Sequence, residues 1–117
     1  MVDPEYTHNE QIMAYQMPVF FEELSKKYTG KMVNVERDGD LVYQEPITDW
    51  STLQSLRYYH VRTGHALYLE TEQEGSASSY TIKTPTLVWV VRDQHRQVVA
   101  VQVIDESNRN IILRFKT

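Results

Sequence analysis

The stretch from Thr84 to Asp105, TPTLVWVVRDQHRQVVAVQVID, constrains this chain more than any other. Leu87-Val88-Trp89-Val90-Val91 and Val98-Val99-Ala100-Val101 are apolar at every position. A strand with one wet face alternates apolar and polar side chains, whereas a run without alternation has both faces covered. The two runs therefore predict paired strands buried on both sides by a helix, a second layer or another copy of the protein. Between them stands Arg92-Asp93-Gln94-His95-Arg96, a knot of charge that reads as a hairpin tip. Asp93 can accept bonds from its own backbone as an Asx turn, and a charged tip discourages edge-to-edge aggregation of the flanking strands. A functional reading stands beside this one: Arg92, His95 and Arg96, exposed together, would dock an acidic partner. Trp89, central in the first run, is either core or an anchor in a partner or homodimer interface, where Trp is enriched.

The rest of the chain supplies what could cover such strands. Thr7-His8-Asn9-Glu10 has the form of a capping box and predicts a short helix over 9–16. Pro18 to Gly30 predicts a second helix. Phe20, Leu24 and Tyr28 form a stripe with Phe21 beside it, Glu22 and Glu23 lie near the start, Lys26 and Lys27 near the end, and Gly30 caps it. From Lys31 the pattern turns to short strands. Met32, Val33 and Val35 begin one, Asp38-Gly39-Asp40 turns the chain, and Leu41-Val42-Tyr43 is a candidate partner that ends at Pro46. Residues 48–56 read either as a single capped helical turn or as a loop. Tyr58–Val61 and Ala66–Glu70 flank a turn at Thr63-Gly64, and Glu72–Ser79 reads as a mobile loop. Tyr80–Lys83 is a short strand or a lead into the Leu87 run. In the last strand Ile111, Leu113 and Phe115 face one way and Arg114 and Lys116 the other, which predicts one wet face. The expected class is α+β: one or two N-terminal helices packed on a mostly antiparallel sheet of about six strands, in a single domain with 1–7 as a loose N-terminal arm.

Composition narrows the function. At 117 residues the chain is sized for one core. A hydrophobic share of 41% with 24% charged residues argues against disorder. The net charge of -4 disfavours nucleic acid and anionic membrane as partners. There is no cysteine, which removes disulfides, thiolate metal sites and Cys nucleophiles, and fits a reducing, cytoplasmic setting. No run approaches the ~18 apolar residues of a membrane span.

The helix Pro18–Lys31, the strand Val33-Asn34-Val35-Glu36, the dyad Tyr58-Tyr59, the run Thr81–Val88 with its Pro-x-x-Val, and the closing Ile104–Phe115 stand in a recognisable order. Together these pieces resemble a small bacterial family described only as a domain of unknown function. The family tends to have Asp-Gly in its last turn, where this chain has Ser107-Asn108, and 46–56 departs from the pattern. The resemblance implies a fold and no activity.

No phosphate-binding glycine loop, metal signature or nucleophile elbow is present, so no cofactor, metal or catalytic residue is expected. His60 and His65 flank a turn and suit a two-histidine clip with Glu70 or Glu72, but Arg62 opposes a cation and two ligands do not select a metal. Glu22-Glu23 with His8 or Glu10 is a conceivable carboxylate pair; helix-dipole complements are the plainer account. Tyr58-Tyr59-His60 and Tyr68, near Arg57 and Arg62, resemble a base-stacking set, against which stand the acidic total and Glu70, Glu72 and Glu74. Two functions remain. The first is a non-enzymatic protein-interaction module, possibly self-associating through its sheet. The second is a small-molecule binder or enzyme with a pocket between helix and sheet, rimmed by Tyr28, Tyr43, Tyr58 and Trp89.

Overall fold

Strands, rather than helices on a smaller sheet, make this protein. The computed structural model describes the backbone of residues 8–39, 47–62 and 64–116. Among these, eight strands form one antiparallel sheet: β1 (His8–Ile12), β2 (Met32–Arg37), β3 (Ser51–Val61), β4 (Gly64–Gln73), β5 (Ser76–Lys83), β6 (Pro85–Arg92), β7 (Val98–Asp105) and β8 (Asn110–Phe115). Their order is β1-β6-β7-β8-β2-β3-β4-β5. A 3₁₀ turn at Ala14–Gln16 leads into one α-helix, α1 (Met17–Tyr28). The expected α+β class with about six strands is therefore corrected to a mostly β fold with one helix.

Two segments account for the difference. His8–Ile12, expected in a helix over 9–16, instead pairs with β6 from His8↔Arg92 to Ile12↔Val88. The Glu72–Ser79 stretch is not a loop, since Glu74-Gly75 is a two-residue hairpin turn and Ser76 already pairs with Gln73. Both turn residues have positive φ, +52 and +83, the type I′ geometry that matches strand twist. Residues 48–56 form no helical turn; β3 begins at Ser51. The strand expected at Leu41-Val42-Tyr43 and the arm at 1–7 lie outside the described residues.

The sheet curls, and chain continuity requires it. β5 and β6 sit far apart in the strand order, yet Thr84 alone joins them. Thr84 adopts φ +50 and donates its N–H to His65 O at 2.8 Å. A β-branched residue in this region is an outlier held by its surroundings.

The helix fills the concave side. Its buried residues are Met17, Phe21, Leu24 and Tyr28, spaced i, i+4, i+7, i+11. Of the expected stripe, Leu24 and Tyr28 are buried, and Phe21 rather than the half-buried Phe20 completes the inward face. Glu22 and Glu23 fall mid-helix rather than in the first turn, and Glu22 pairs with Lys26 at 3.2 Å on the exposed side. Gly30, φ +90, reverses the chain as its N–H meets Leu53 O at 2.8 Å.

Alternation divides the sheet into two faces. Val88, Val90, Val101, Val103, Ile111, Leu113 and Phe115 join the helix residues in one core. The inward set expected for β8 is thus observed, but its wet face is not. Ile112 is fully buried and Arg114 only 6% exposed, both on the outer face.

The two hairpins around β7 use one turn twice. Asp93 Oδ1 accepts from the N–H of His95 (2.8 Å) and Gln97 (2.9 Å). Asp105 Oδ1 accepts from Ser107 (2.8 Å) and Arg109 (2.9 Å). The fourth residue is left-handed in each, Arg96 at φ +63 and Asn108 at φ +64. Asn suits that conformation, so Ser107-Asn108 does what Asp-Gly would do. Asp93→Ala and Asp105→Ala should each lower stability by about 1–2 kcal/mol in urea unfolding, and the two losses should add because the turns lie at opposite ends of β7. Asp→Asn at either site, which keeps the acceptor oxygen, should lose less.

Candidate interaction surface

The outer face of the β6–β7 hairpin collects the apolar side chains that the core does not use. Register defines its rows. One runs Gln11, Trp89, Gln102, Ile112, Glu36 across β1, β6, β7, β8 and β2. A second runs Asn9, Val91, Ala100, Arg114, Asn34. Leu87 pairs with Ile104 in a third. Leu87 is 37% exposed, Trp89 and Ile104 are half-buried, and Val91 and Ala100 on the same face are 7% exposed each. Trp89 therefore belongs to the outer face and not to the core cluster.

The expected tip residues separate. Arg92 is tied down: its Nε and Nη2 meet Glu10 Oε1 at 2.9 and 2.8 Å, and its Nη1 donates to Arg96 O at 3.1 Å. It clamps the edge strand β1 to the turn. His95 and Arg96 remain exposed at the tip. The helix reaches this tip from the other side, where Lys27 Nζ bonds Gln97 Oε1 and Tyr28 OH donates to Val98 O at 2.9 Å.

The three described aromatics of the expected pocket rim do not meet. Tyr28 is buried and stacks on Phe115 with centroids 4.1 Å apart. Tyr58 points inward, stacked 5.8 Å from Phe21, with its hydroxyl 2.6 Å from His65 Nδ1. Trp89 points outward, and Tyr43 lies outside the described residues. Phe21 at 0% and Met17 at 1% exposure fill the space between helix and sheet.

Burial raises the Tyr28 hydroxyl pKa, with the Asp93 charge adding and Arg92 opposing. Burial also raises Tyr58. A folded pKa above the unfolded one gives stability that is intact below the usual phenol value, about 10, and lost as pH climbs through the raised value. The share of stability that these tyrosines supply should therefore be lost only above about pH 10 in urea unfolding, and Tyr28→Phe should blunt that loss while costing about 1 kcal/mol at neutral pH.

The histidine pair is better matched than its sequence implied. Val61 pairs with Gly64, so the hairpin closes one residue earlier than expected and His60 faces His65 directly. Glu70 and Glu72 alternate onto the other face of β4, where Glu70 accepts from Tyr68 OH at 3.0 Å. Among the described residues no group of three or more His, Asp or Glu could hold a metal. The tyrosines also divide: Tyr59, 39% exposed, and Tyr68 lie opposite to Tyr58. Glu10 is bound to Arg92, and Glu22 and Glu23 are exposed on the helix.

Sequence reasoning missed one cluster. Arg114 Nη1 lies 2.5 Å from Glu36 Oε2 and 3.3 Å from Asn34 Oδ1. Asn34 Nδ2 in turn donates to Asp49 O at 3.0 Å, which draws residues 47–49 across the outer face. These groups line a cleft of about 270 Å³ with Ile47 and Thr48. The only sequence signal was a cation flanked by apolar residues in the last strand, which alternation assigns to solvent.

No family model, curated protein or solved structure matches the chain. The geometry carries the functional reading alone. No helix of the described residues is long and apolar enough to cross a membrane.

Proposed function

We propose that this chain is a non-enzymatic protein-interaction module whose contact surface is the outer face of the β6–β7 hairpin. The observation that carries the reading is the placement of Trp89 and Leu87 together outside the core, on the same sheet face as Val91 and Ala100. Trp and apolar neighbours ringed by glutamines have the make-up of a hot spot inside a polar rim. His95 and Arg96 add positive or protonatable groups at one end, so the fitting partner presents apolar anchors beside carboxylates. The test is capture from the source cell with wild type and with the Leu87→Ser/Trp89→Ser double variant. A partner held by the wild type should be lost by the double variant at unchanged melting temperature, and weakened by His95→Ser/Arg96→Ser. Equal capture by the wild type and the Leu87/Trp89 variant would remove the reading.

A second reading, a small-molecule binder, draws on the cleft at Asn34, Asp49 and Arg114. Its volume of about 270 Å³ falls just below the ~300–1,000 Å³ range of ligand pockets. The interaction surface is favoured for that reason.

A further inference from the structure

β5 ends the sheet without the protection that edge strands usually carry. Native edges are blunted by charge, proline, bulges or shortness. β5 runs eight residues, Ser-Ala-Ser-Ser-Tyr-Thr-Ile-Lys, with no charge before Lys83 and no proline. Its ladder with β4 is unbroken from Ala66↔Lys83 to Gln73↔Ser76, and Ser76–Ser79, Thr81 and Lys83 are exposed. The opposite edge, β1, has five residues and is clamped by the Glu10–Arg92 ion pair.

Two independent observations fix which backbone groups of β5 face outward. Thr84 N–H bonds His65 O at 2.8 Å, which makes that pair a hydrogen-bonded one. The two-residue turn at Glu74-Gly75 makes Gln73–Ser76 its closing hydrogen-bonded pair. Both place the even-numbered residues of β5 in bonds to β4. The amides and carbonyls of Ala77, Ser79, Thr81 and Lys83 therefore point away from the sheet. Among the described residues no strand pairs with that side.

We propose that a second copy of this chain pairs with β5, antiparallel about a two-fold axis through Tyr80, to join two curled sheets into one. An axis perpendicular to the sheet keeps each face on its own side, so opposed residues must share a face. With Tyr80 on the axis, Ser79 meets Thr81 of the second copy and Ala77 meets its Lys83. This register engages every outward residue of both copies and sets no like charges opposite one another. Tyr80 then occupies a non-hydrogen-bonded position, where cross-strand side chains come closest. It is half-buried, packs against the core cluster and lies under the Arg37 guanidinium at 4.9 Å. A Tyr80 pair across the axis continues the inner row that begins with Leu69.

This association is independent of the Trp89 surface, and the experiment keeps the two apart. Sedimentation velocity from micromolar to millimolar protein should show a reversible dimer. Ser79→Pro removes only an outward N–H, which an edge strand tolerates, so it should leave the melting temperature unchanged and weaken the dimer at least about tenfold. Because the chain has no cysteine, Tyr80→Cys should form a covalent dimer on mild oxidation, whereas Ala77→Cys, facing Lys83, should not. Leu87→Ser/Trp89→Ser should dimerise as wild type. A monomer at every concentration, a dimer that survives Ser79→Pro, or equal cross-linking at 77 and 80 would overturn the proposal. An unfolded Ser79→Pro would do so too, by showing that Ser79 N–H is bonded inside the sheet.

Discussion

Phe21→Ala should cost about 3–5 kcal/mol, enough to leave a domain of ordinary stability, about 5–15 kcal/mol, marginal at best. Phe21 has no solvent exposure and stacks on Tyr58 from β3, with Phe20 edge-on at 5.2 Å. A helix of 12 residues is too short to persist alone in water, so α1 exists because its buried stripe is held by the sheet. Removing the ring leaves a cavity at the centre of the curl, where β3, β4 and the helix cannot close together without breaking the sheet's curvature. Phe20→Ala, at a half-buried site on the same turn, should cost clearly less. Urea unfolding of the two variants under identical conditions checks the difference. Equal losses would mean that Phe20 and Phe21 share the inward face, as the stripe read from the sequence allows.

That comparison also shows what periodicity can and cannot fix. The helix, its basic last turn and its glycine cap were legible, because they rest on local spacing and local chemistry. Its exact facing was not, since Phe20 and Phe21 both fit an apolar stripe, and only Met17 at the far end selects the 17, 21, 24, 28 set. The inward residues of β8 were likewise legible from their alternation, whereas β6 and β7, apolar at nearly every position, left their inward faces to register. β1 was not, because His-Asn-Glu-Gln-Ile has no strand pattern and a good helix start. It is extended because the open edge of β6 supplies five backbone partners, a tertiary gain that outweighs a weak local preference. β5 was hidden by its serines, whose small polar side chains read as loop; the I′ turn at Glu74-Gly75 was the signal overlooked. For the candidate surface, the sequence left Trp89 as either core or interface anchor, and register decides its face. The charged tip was legible as a turn, but nothing local to it announced that Glu10, far away in sequence, would claim Arg92.

Arg114→Ala should be the second most damaging change, at about 2–4 kcal/mol. The guanidinium is 6% exposed beside the apolar Ile112, Ala100 and Val91, so its charge is tolerable there only because oxygen acceptors meet it. Glu36 is the nearest of these, with a side chain 36% exposed. That exposure makes the consequences unequal. When Arg114 is removed, the Glu36 carboxylate can rehydrate, and most of the loss is the packing of the arginine stem over β8. When Glu36 is removed by Glu36→Ala, the buried cation keeps the Asn34 contact but loses the Glu36 carboxylate, and water has little access to replace that oxygen. A double-mutant cycle separates these terms, and the pair should show a coupling energy of about 1–3 kcal/mol. Additive losses would mean that Glu36 is an incidental neighbour and that the arginine is held by packing. Arg114→Lys should recover only part of the loss, because an ammonium cannot bridge Asn34 and Glu36 as the guanidinium fork does. Partner capture separates stability from contact. Arg114 stands beside Ala100 in the outer row but is buried, so if the Leu87–Trp89 surface is a contact site, Arg114→Lys should alter stability and leave capture intact, whereas Trp89→Ser should do the reverse.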